Sequence, residues 1–191
     1  MAFSTTSLEE ALATLGELLA ERGQSVELVA IGGGSLLLMQ LIERPTKDLD
    51  VVAIVRSGQF VSAVPFPDVL TAAVKDVAAA TGLNDDWLNP GPASLLALGL
   101  PPGFEGRLTT RSFGGLTVHL ASRVDQICFK LYASVDQGPR SKHVVDLVRL
   151  APSVEELASA AEWCKTHDVS DGFAEQLDLA LRALGARRHG R

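Results

Sequence analysis

Two aspartates lie two residues apart in a segment that is otherwise apolar. The segment runs from Asp48 to Val55, and its β-branched residues predict a strand. Side chains alternate across a strand, so we expect Asp48 and Asp50 on one face. Two neighbouring carboxylates repel each other unless a cation lies between them, and hard oxygen ligands suit Mg²⁺ or Mn²⁺. The pair therefore predicts a divalent-metal site.

A glycine-rich segment, Gly32–Ser35, precedes that strand. It follows a short apolar strand predicted over Val26–Ile31 and leads into a buried helix predicted from Ser35 to Ile42. Glycines allow close approach of a ligand to the backbone, and the start of a helix favours anions. The segment therefore predicts a phosphate-binding turn, with the Ser35 hydroxyl at its end.

Each half of this pattern also has an ordinary structural explanation. Three glycines often form only a flexible turn, and two alternating aspartates often mark a solvated strand end. The order strand, glycine turn, helix, Thr46–Asp50 and strand is more specific, because one short helix joins an anion site to a metal site. We interpret the two halves as one site.

These residues resemble a known signature. Ile31–Ser35 together with Arg44–Asp50 is similar to the motif of the polymerase-β-type nucleotidyltransferase superfamily, and more narrowly of the AbiEii/MenT-type bacterial toxin nucleotidyltransferases and their uncharacterised relatives. That group also carries a lysine on a later helix and then an Asp-Leu segment, which Lys130 and Asp146 match. The resemblance lies in motifs spread over roughly residues 26 to 150.

The resemblance implies a role for each matching residue. Asp48 and Asp50 would hold the metal that bridges the nucleotide phosphates. The nucleotide would be bound by Gly33, Gly34, Ser35, Thr46 and Lys47. Of these, Thr46 would place a hydroxyl beside the metal. Lys47, like Arg44, Arg140 and Lys142, is explained equally well by solvation at the surface.

Lys130 and Asp146 complete the implied catalytic set of Asp48, Asp50, Lys130 and Asp146. Lys130 would neutralise phosphate charge, and Asp146 would accept a hydrogen bond from Lys130 or act as a base on the attacking hydroxyl. The alternatives are that Lys130 extends from an apolar helix to the surface and that Asp146 is solvated.

The sequence departs from the superfamily at one position. A third carboxylate normally lies on a later strand of the two-metal site, but the strand predicted over Leu116–Leu120 contains no acid. Three explanations stay open: a single metal is held firmly, Asp146 substitutes from a helix, or the domain binds nucleotide without catalysis.

The remaining pattern predicts an α/β (α+β) fold. We expect a nucleotidyltransferase-like core over residues 1–121, built on a small mixed sheet, with a helical bundle over residues 122–191 packed on it. The first helix is predicted from Ser7 to Arg22 with Ser7 as its cap, and a β-hairpin is predicted around Gly114-Gly115.

Composition limits the partners. No apolar run is long enough to cross a membrane, and the chain start carries no secretion signal, so we expect a cytoplasmic protein with reduced Cys128 and Cys164. The net charge of −6 argues against a general nucleic-acid binder. The dense basic run, Arg187–Arg191, is best explained as a solubilising tail.

The resulting hypothesis is a Mg²⁺-dependent nucleotidyltransferase that moves a nucleotide from an NTP to an acceptor hydroxyl. By resemblance, the acceptor is a tRNA 3′ end and the protein is a toxin restrained by an antitoxin. A protein hydroxyl or a small molecule remains an alternative acceptor. A catalytically silent nucleotide-binding or protein-interaction module is the alternative function.

Overall fold

The structure is a computed structural model that describes residues 2–138 and 140–189, with only the backbone over 186–189. The chain divides into two compact units, residues 1–121 and 122–191. The end of the predicted basic tail, Gly190-Arg191, lies outside the described residues, as do the side chains of residues 187–189. Within the described part of the chain, no helix has the length and apolar character that a membrane crossing requires.

The first unit is built on a mixed six-stranded sheet. The strand order is β3-β2-β1-β6-β5, and β4 pairs with the first two residues of β2. The β1–β6 and β2–β4 pairs are parallel and the other pairs are antiparallel. The strands are β1 (Val26–Ile31), β2 (Leu49–Arg56), β3 (Gln59–Ser62), β4 (Leu88–Asn89), β5 (Thr109–Phe113) and β6 (Leu116–Leu120).

Four α-helices accompany this sheet among the described residues: α1 (Thr5–Glu21), α2 (Gly32–Leu38), α3 (Asp68–Thr81) and α4 (Ser94–Leu98), and a short 3-10 helix spans Phe104–Arg107. The cap predicted for α1 at Ser7 is wrong by one turn. Ser4 is the N-cap, its Oγ accepts the Ser7 N–H at 3.2 Å, and the Ser7 hydroxyl in turn accepts the Ser4 N–H at 2.9 Å. A serine at either position can enter the reciprocal capping arrangement, which explains the shift.

The β2–β3 hairpin has no counterpart in the predicted elements. Its two-residue turn consists of Ser57 and Gly58, with φ values of +50° and +75°. Two consecutive positive φ angles match the twist of a tight hairpin, and glycine accepts the second without strain. The Ser-Gly pair between two apolar runs is the sequence signal that indicates this turn.

A β-bulge interrupts the pairing of β1 with β2. Val29 pairs with Ala53, but Ala30 pairs with Val51, so Val52 is the extra residue on β2. Strict alternation along β2 would place Asp50 on the same face as Ile54. The bulge reverses the alternation and places Asp50 opposite Ile31, next to the glycines.

The second unit is helical. Its elements are α5 (Arg123–Gln137), α6 (Lys142–Leu150), α7 (Val154–Lys165) and α8 (Asp171–His189). Ser122 and Ser153 cap α5 and α7, each accepting a backbone N–H three residues ahead. Buried Cys128 and Cys164 are not joined in a disulfide, and burial raises the pKa of the Cys164 thiol. The predicted α+β class, with a small mixed sheet and a C-terminal helical bundle, is confirmed.

Candidate functional site

The three glycines form the first turn of α2 instead of a turn before the helix. The helix begins at Gly32, after a predicted start at Ser35, and its N-cap Ile31 offers no side-chain hydrogen bond. A glycine run has weak helix propensity, so tertiary packing decides its conformation here. The contacts of each glycine show what that packing is.

Gly32 lies against the carboxylate of Asp50. Its φ of +78° is a conformation that L side chains rarely adopt. A Cβ at this position would overlap Asp50 Oδ2 and lie 3.3 Å from Cγ. Only glycine therefore allows the Asp50 carboxylate to rest on the backbone where β1 meets α2.

The next two glycines lie against the segment that leads into β2. A Cβ on Gly33 would be 3.0 Å from Thr46 Oγ1 and 3.3 Å from Arg44 Nη2. A Cβ on Gly34 would be 2.7 Å from the Asp48 carbonyl oxygen. The structure thus brings the glycine segment and the aspartate segment into direct contact, and adds the Arg44 guanidinium beside Gly33.

Backbone hydrogen bonds hold the aspartate segment in place. Thr46 and Phe3 exchange two of them, with N···O distances of 2.6 and 3.2 Å. The Leu49 N–H donates to the Trp87 carbonyl at 2.7 Å, and the Phe3 and Trp87 rings lie 6.0 Å apart. These bonds fix the backbone on both sides of Asp48. Phe3 and Trp87 are positioning residues that no motif in the sequence indicated.

Thr46 and Ser35 carry the two buried hydroxyls of the predicted nucleotide-binding set. Thr46 Oγ1 donates to the Asp48 carbonyl at 3.3 Å, so this side chain supports the loop from within. Ser35 is fully buried, and its Oγ has no hydrogen-bond partner among the described residues. A buried hydroxyl without a hydrogen-bond partner in the protein normally bonds to a water or to a ligand oxygen.

The charged residues of the segment remain accessible. Asp48 and Asp50 are half-buried, and Lys47 is exposed. No cluster of three or more histidine, cysteine, aspartate or glutamate side chains suited to a metal occurs in the described part of the chain. Two carboxylates fit a Mg²⁺ ion that takes its other ligands from substrate phosphates and water, which is how this ion usually binds.

Lys130 and Asp146 lie in the second unit and form an ion pair there. Lys130 Nζ on α5 is 2.7 Å from Asp146 Oδ2 on α6, and the side chains are 4% and 1% exposed. The contact matches the hydrogen bond that the resemblance implied, whereas surface extension of Lys130 and solvation of Asp146 are both ruled out by this burial. Burying two charges costs several kcal/mol per ion, because each charge loses its water. Removing one partner of such a pair lowers the free energy of unfolding by about 3–5 kcal/mol, because the other charge is left buried alone.

Comparison with known proteins yields one match. The model of a family described as "Nucleotidyltransferase of unknown function (DUF6036)" matches residues 7–147. No curated protein and no solved structure matches the chain. The match supports the broad superfamily assignment but does not reach the toxin subgroup. Because it covers most of the chain, from α1 to the residue after Asp146, the protein belongs to this family of nucleotidyltransferases of unknown function.

Proposed function

We propose that this protein transfers a nucleotide from an NTP to an acceptor hydroxyl. The observation that carries the proposal is the contact between Gly32–Gly34 and the segment Arg44–Asp50. It joins glycine backbone to the Asp50 carboxylate, to the segment that carries Asp48 and to the Arg44 guanidinium. A triphosphate with a divalent ion needs backbone donors, carboxylates and a positive charge together.

Asp48 and Asp50 would hold Mg²⁺ or Mn²⁺, which when bound neutralises charge on the phosphates. By the resemblance, Gly33 and Gly34 belong to the nucleotide-binding set, and the Ser35 Oγ, which has no hydrogen-bond partner among the described residues, would offer the phosphates a hydrogen bond. Arg44 brings a fork of donors to the same place, which suits phosphate recognition. Thr46 keeps the loop rigid, and Lys47 adds a mobile positive charge at the rim.

We assign Lys130 and Asp146 to the catalytic set on the resemblance alone. Lys130 would supply positive charge to the phosphates, and Asp146 would set the position of its ammonium. A buried ion pair often adds no net stability over well-packed apolar residues, so its presence is weak evidence for a role in folding alone. We propose a role in catalysis instead.

The acceptor we propose by resemblance is the 3′ end of a tRNA, in a toxin whose activity a partner antitoxin restrains. A second candidate, a domain that binds nucleotide without catalysis, is favoured by one observation. The strand Leu116–Leu120 carries no third carboxylate, and no three-carboxylate cluster lies in the described residues.

Pyrophosphate release separates the two candidates. The protein is incubated with Mg²⁺, each of the four NTPs and total RNA, and compared with Asp48→Ala. Asp86→Ala, which removes an exposed aspartate from the turn before β4, is the matched control. The enzyme predicts release by the wild type and by Asp86→Ala but not by Asp48→Ala. Equal background release from all three would establish the silent domain.

A further inference from the structure

A second cluster of polar side chains crosses the sheet of the first unit, away from the glycine segment. It contains Thr110 on β5, His119 on β6 and Glu27 on β1, three adjacent strands. His119 Nε2 lies 3.0 Å from Glu27 Oε2, and His119 Nδ1 lies 2.9 Å from Thr110 Oγ1. Both ring nitrogens are therefore within hydrogen-bond distance of a polar partner.

Chemistry assigns a direction to each of these hydrogen bonds. The Glu27 carboxylate can only accept, so His119 Nε2 carries a proton and donates it. In the neutral ring, Nδ1 then carries the lone pair and accepts the hydroxyl hydrogen of Thr110. A hydroxyl, a base bonded to it and a carboxylate that orients the base form the arrangement that activates a nucleophile.

The hydroxyl is reachable from solvent. Thr110 is exposed, while the His119 and Glu27 side chains are 18% and 50% exposed. A partly buried base beneath an exposed hydroxyl suits an incoming electrophile. A sheet surface that only needed solubility would not require three polar side chains joined in this order.

We propose that Thr110 accepts a nucleotide in a transfer between two copies of this chain. The inference rests on the proposed nucleotidyltransferase function and names a second acceptor for it, beside the tRNA 3′ end proposed by resemblance. Thr110 Oγ attacks the α-phosphorus of the NTP, and an Oγ–P bond forms. The bond from that phosphorus to the bridging oxygen breaks, and its electron pair leaves with pyrophosphate. The hydroxyl proton moves to His119 Nδ1, and Glu27 stabilises the resulting imidazolium.

The distance between Asp50 and Thr110 across the sheet is too large for transfer within one copy. Asp50 lies on β2 and Thr110 on β5, three positions away in the order β2-β1-β6-β5. Strands lie about 4.8 Å apart, so the two backbones are separated by roughly 14 Å. Reacting atoms must approach to about 3–3.5 Å. A nucleotide whose α-phosphate is held at Asp50 therefore does not reach Thr110 of its own copy, and the proposed donor is a second copy.

The net charge agrees with a protein acceptor. At −6 the chain lacks the general excess of positive charge by which nucleic-acid binders neutralise phosphates. A threonine on a second copy requires no such surface.

A mixing experiment tests the inference. The donor is the Thr110→Ala chain, which keeps Asp48 and Asp50, and the acceptor is a tagged Asp48→Ala chain, which keeps Thr110. We expect labelled nucleotide on the acceptor at Thr110 by peptide mass spectrometry, at a rate that rises with donor concentration. Adding His119→Ala to the acceptor should lower labelling about 100-fold, because general-base catalysis contributes about that much.

Ser112→Ala in the acceptor is the matched control. Ser112 is an exposed hydroxyl two residues along the same strand, opposite Thr117 instead of a histidine. We expect this change to leave labelling unchanged. Circular dichroism of each acceptor variant shows whether it is folded.

The possible failures are distinguishable. If the donor labels RNA but no acceptor chain, or labels the His119→Ala acceptor equally well, the inference about Thr110 is overturned and the proposed function stands. Labelling of Thr110 in the wild-type chain at a rate independent of concentration would overturn transfer between copies. If the wild type transfers nucleotide to neither RNA nor protein, the proposed function falls, and this inference with it.

Discussion

The two units carry their charged residues in opposite ways. In the first unit, Asp48 and Asp50 are half-buried, and the Asp50 carboxylate lies against the backbone of Gly32. In the second unit, the Lys130 and Asp146 side chains are 4% and 1% exposed and are paired with each other at 2.7 Å. The half-buried carboxylates remain accessible to a ligand from solvent, whereas the charges of the buried pair face each other inside the protein.

This difference separates residues that are accessible to a ligand from residues whose charges are held inside the protein. Removing an accessible carboxylate removes a candidate ligand contact, whereas removing one half of a buried pair leaves an uncompensated charge in the interior. Four variants test the contrast, and they are given from the largest expected effect to the smallest.

Lys130→Met should lower the free energy of unfolding by about 3–5 kcal/mol, because Asp146 is then buried without its cation. Urea denaturation measures this. The double variant Lys130→Met/Asp146→Leu should recover most of that loss and still fail to transfer nucleotide. Full transfer activity in the recovered double variant would assign the pair to folding alone and remove both residues from the catalytic set.

Asp50→Asn should reduce nucleotide transfer about 10²–10³-fold, the range found when one electrostatic contact to a transition state is lost. Its melting temperature should stay close to that of the wild type, because the amide has the same shape and remains half-buried. Asp86→Asn should change neither property. A large stability loss in Asp50→Asn would contradict the contrast between the two units.

Arg123→Gln should lower stability at neutral pH by about 1–2 kcal/mol, a value reduced for partial exposure of the pair. Arg123 donates to Glu156 at 2.6 and 3.1 Å and to the Leu150 carbonyl at 2.6 and 2.9 Å. These bonds lower the pKa of Glu156. The Glu156 contribution is therefore present above its unfolded pKa of about 4.3 and disappears as the pH falls through the lower folded value.

Denaturation at several pH values checks this dependence. The difference between wild type and Arg123→Gln should shrink as the pH falls below about 4. Lys165→Gln breaks the exposed pair with Glu162 and is the matched control, with no measurable change expected. A difference that is constant across this pH range would show that the bonds to the Leu150 and Ala151 carbonyls carry the whole effect.

Gly33→Ala should raise the KM for NTP about tenfold with a small change in stability, because the added methyl lies 3.0 Å from Thr46 Oγ1 and shifts the phosphate-binding backbone. Gly106→Ala is the control, since a Cβ there meets nothing within 4 Å. Initial-rate kinetics over a range of NTP concentrations measure both. An unchanged KM in Gly33→Ala would place the phosphates elsewhere.

Strongly periodic elements could be predicted from the sequence. The bounds of β1 are as predicted, and β2 begins at Leu49, one residue after the predicted start. The β5–β6 hairpin around Gly114-Gly115 is also present. In each case a run of β-branched or alternating residues ends at a turn signal, so local preference and tertiary packing agree.

The details that define the site could not be predicted in this way. Incorporation of Gly32–Gly34 into a helix goes against their propensity, and the bulge at Val52 leaves no trace in an apolar run. The approach of Arg44 to Gly33 depends on the path of the chain between α2 and β2. The order of the two motifs along the sequence did indicate the glycine–aspartate contact. The helix between them is short, so the chain must come back to the sheet close to the glycines.

The bulge at Val52 interrupts the alternation of side chains along β2, so Asp50 and the residues from Ala53 onward follow different phases of the strand. Anyone transplanting this site onto another scaffold would have to move Asp48 to Ala53 as one cassette. The two aspartates copied alone onto a regular strand would lose the register that places Asp50 opposite Ile31.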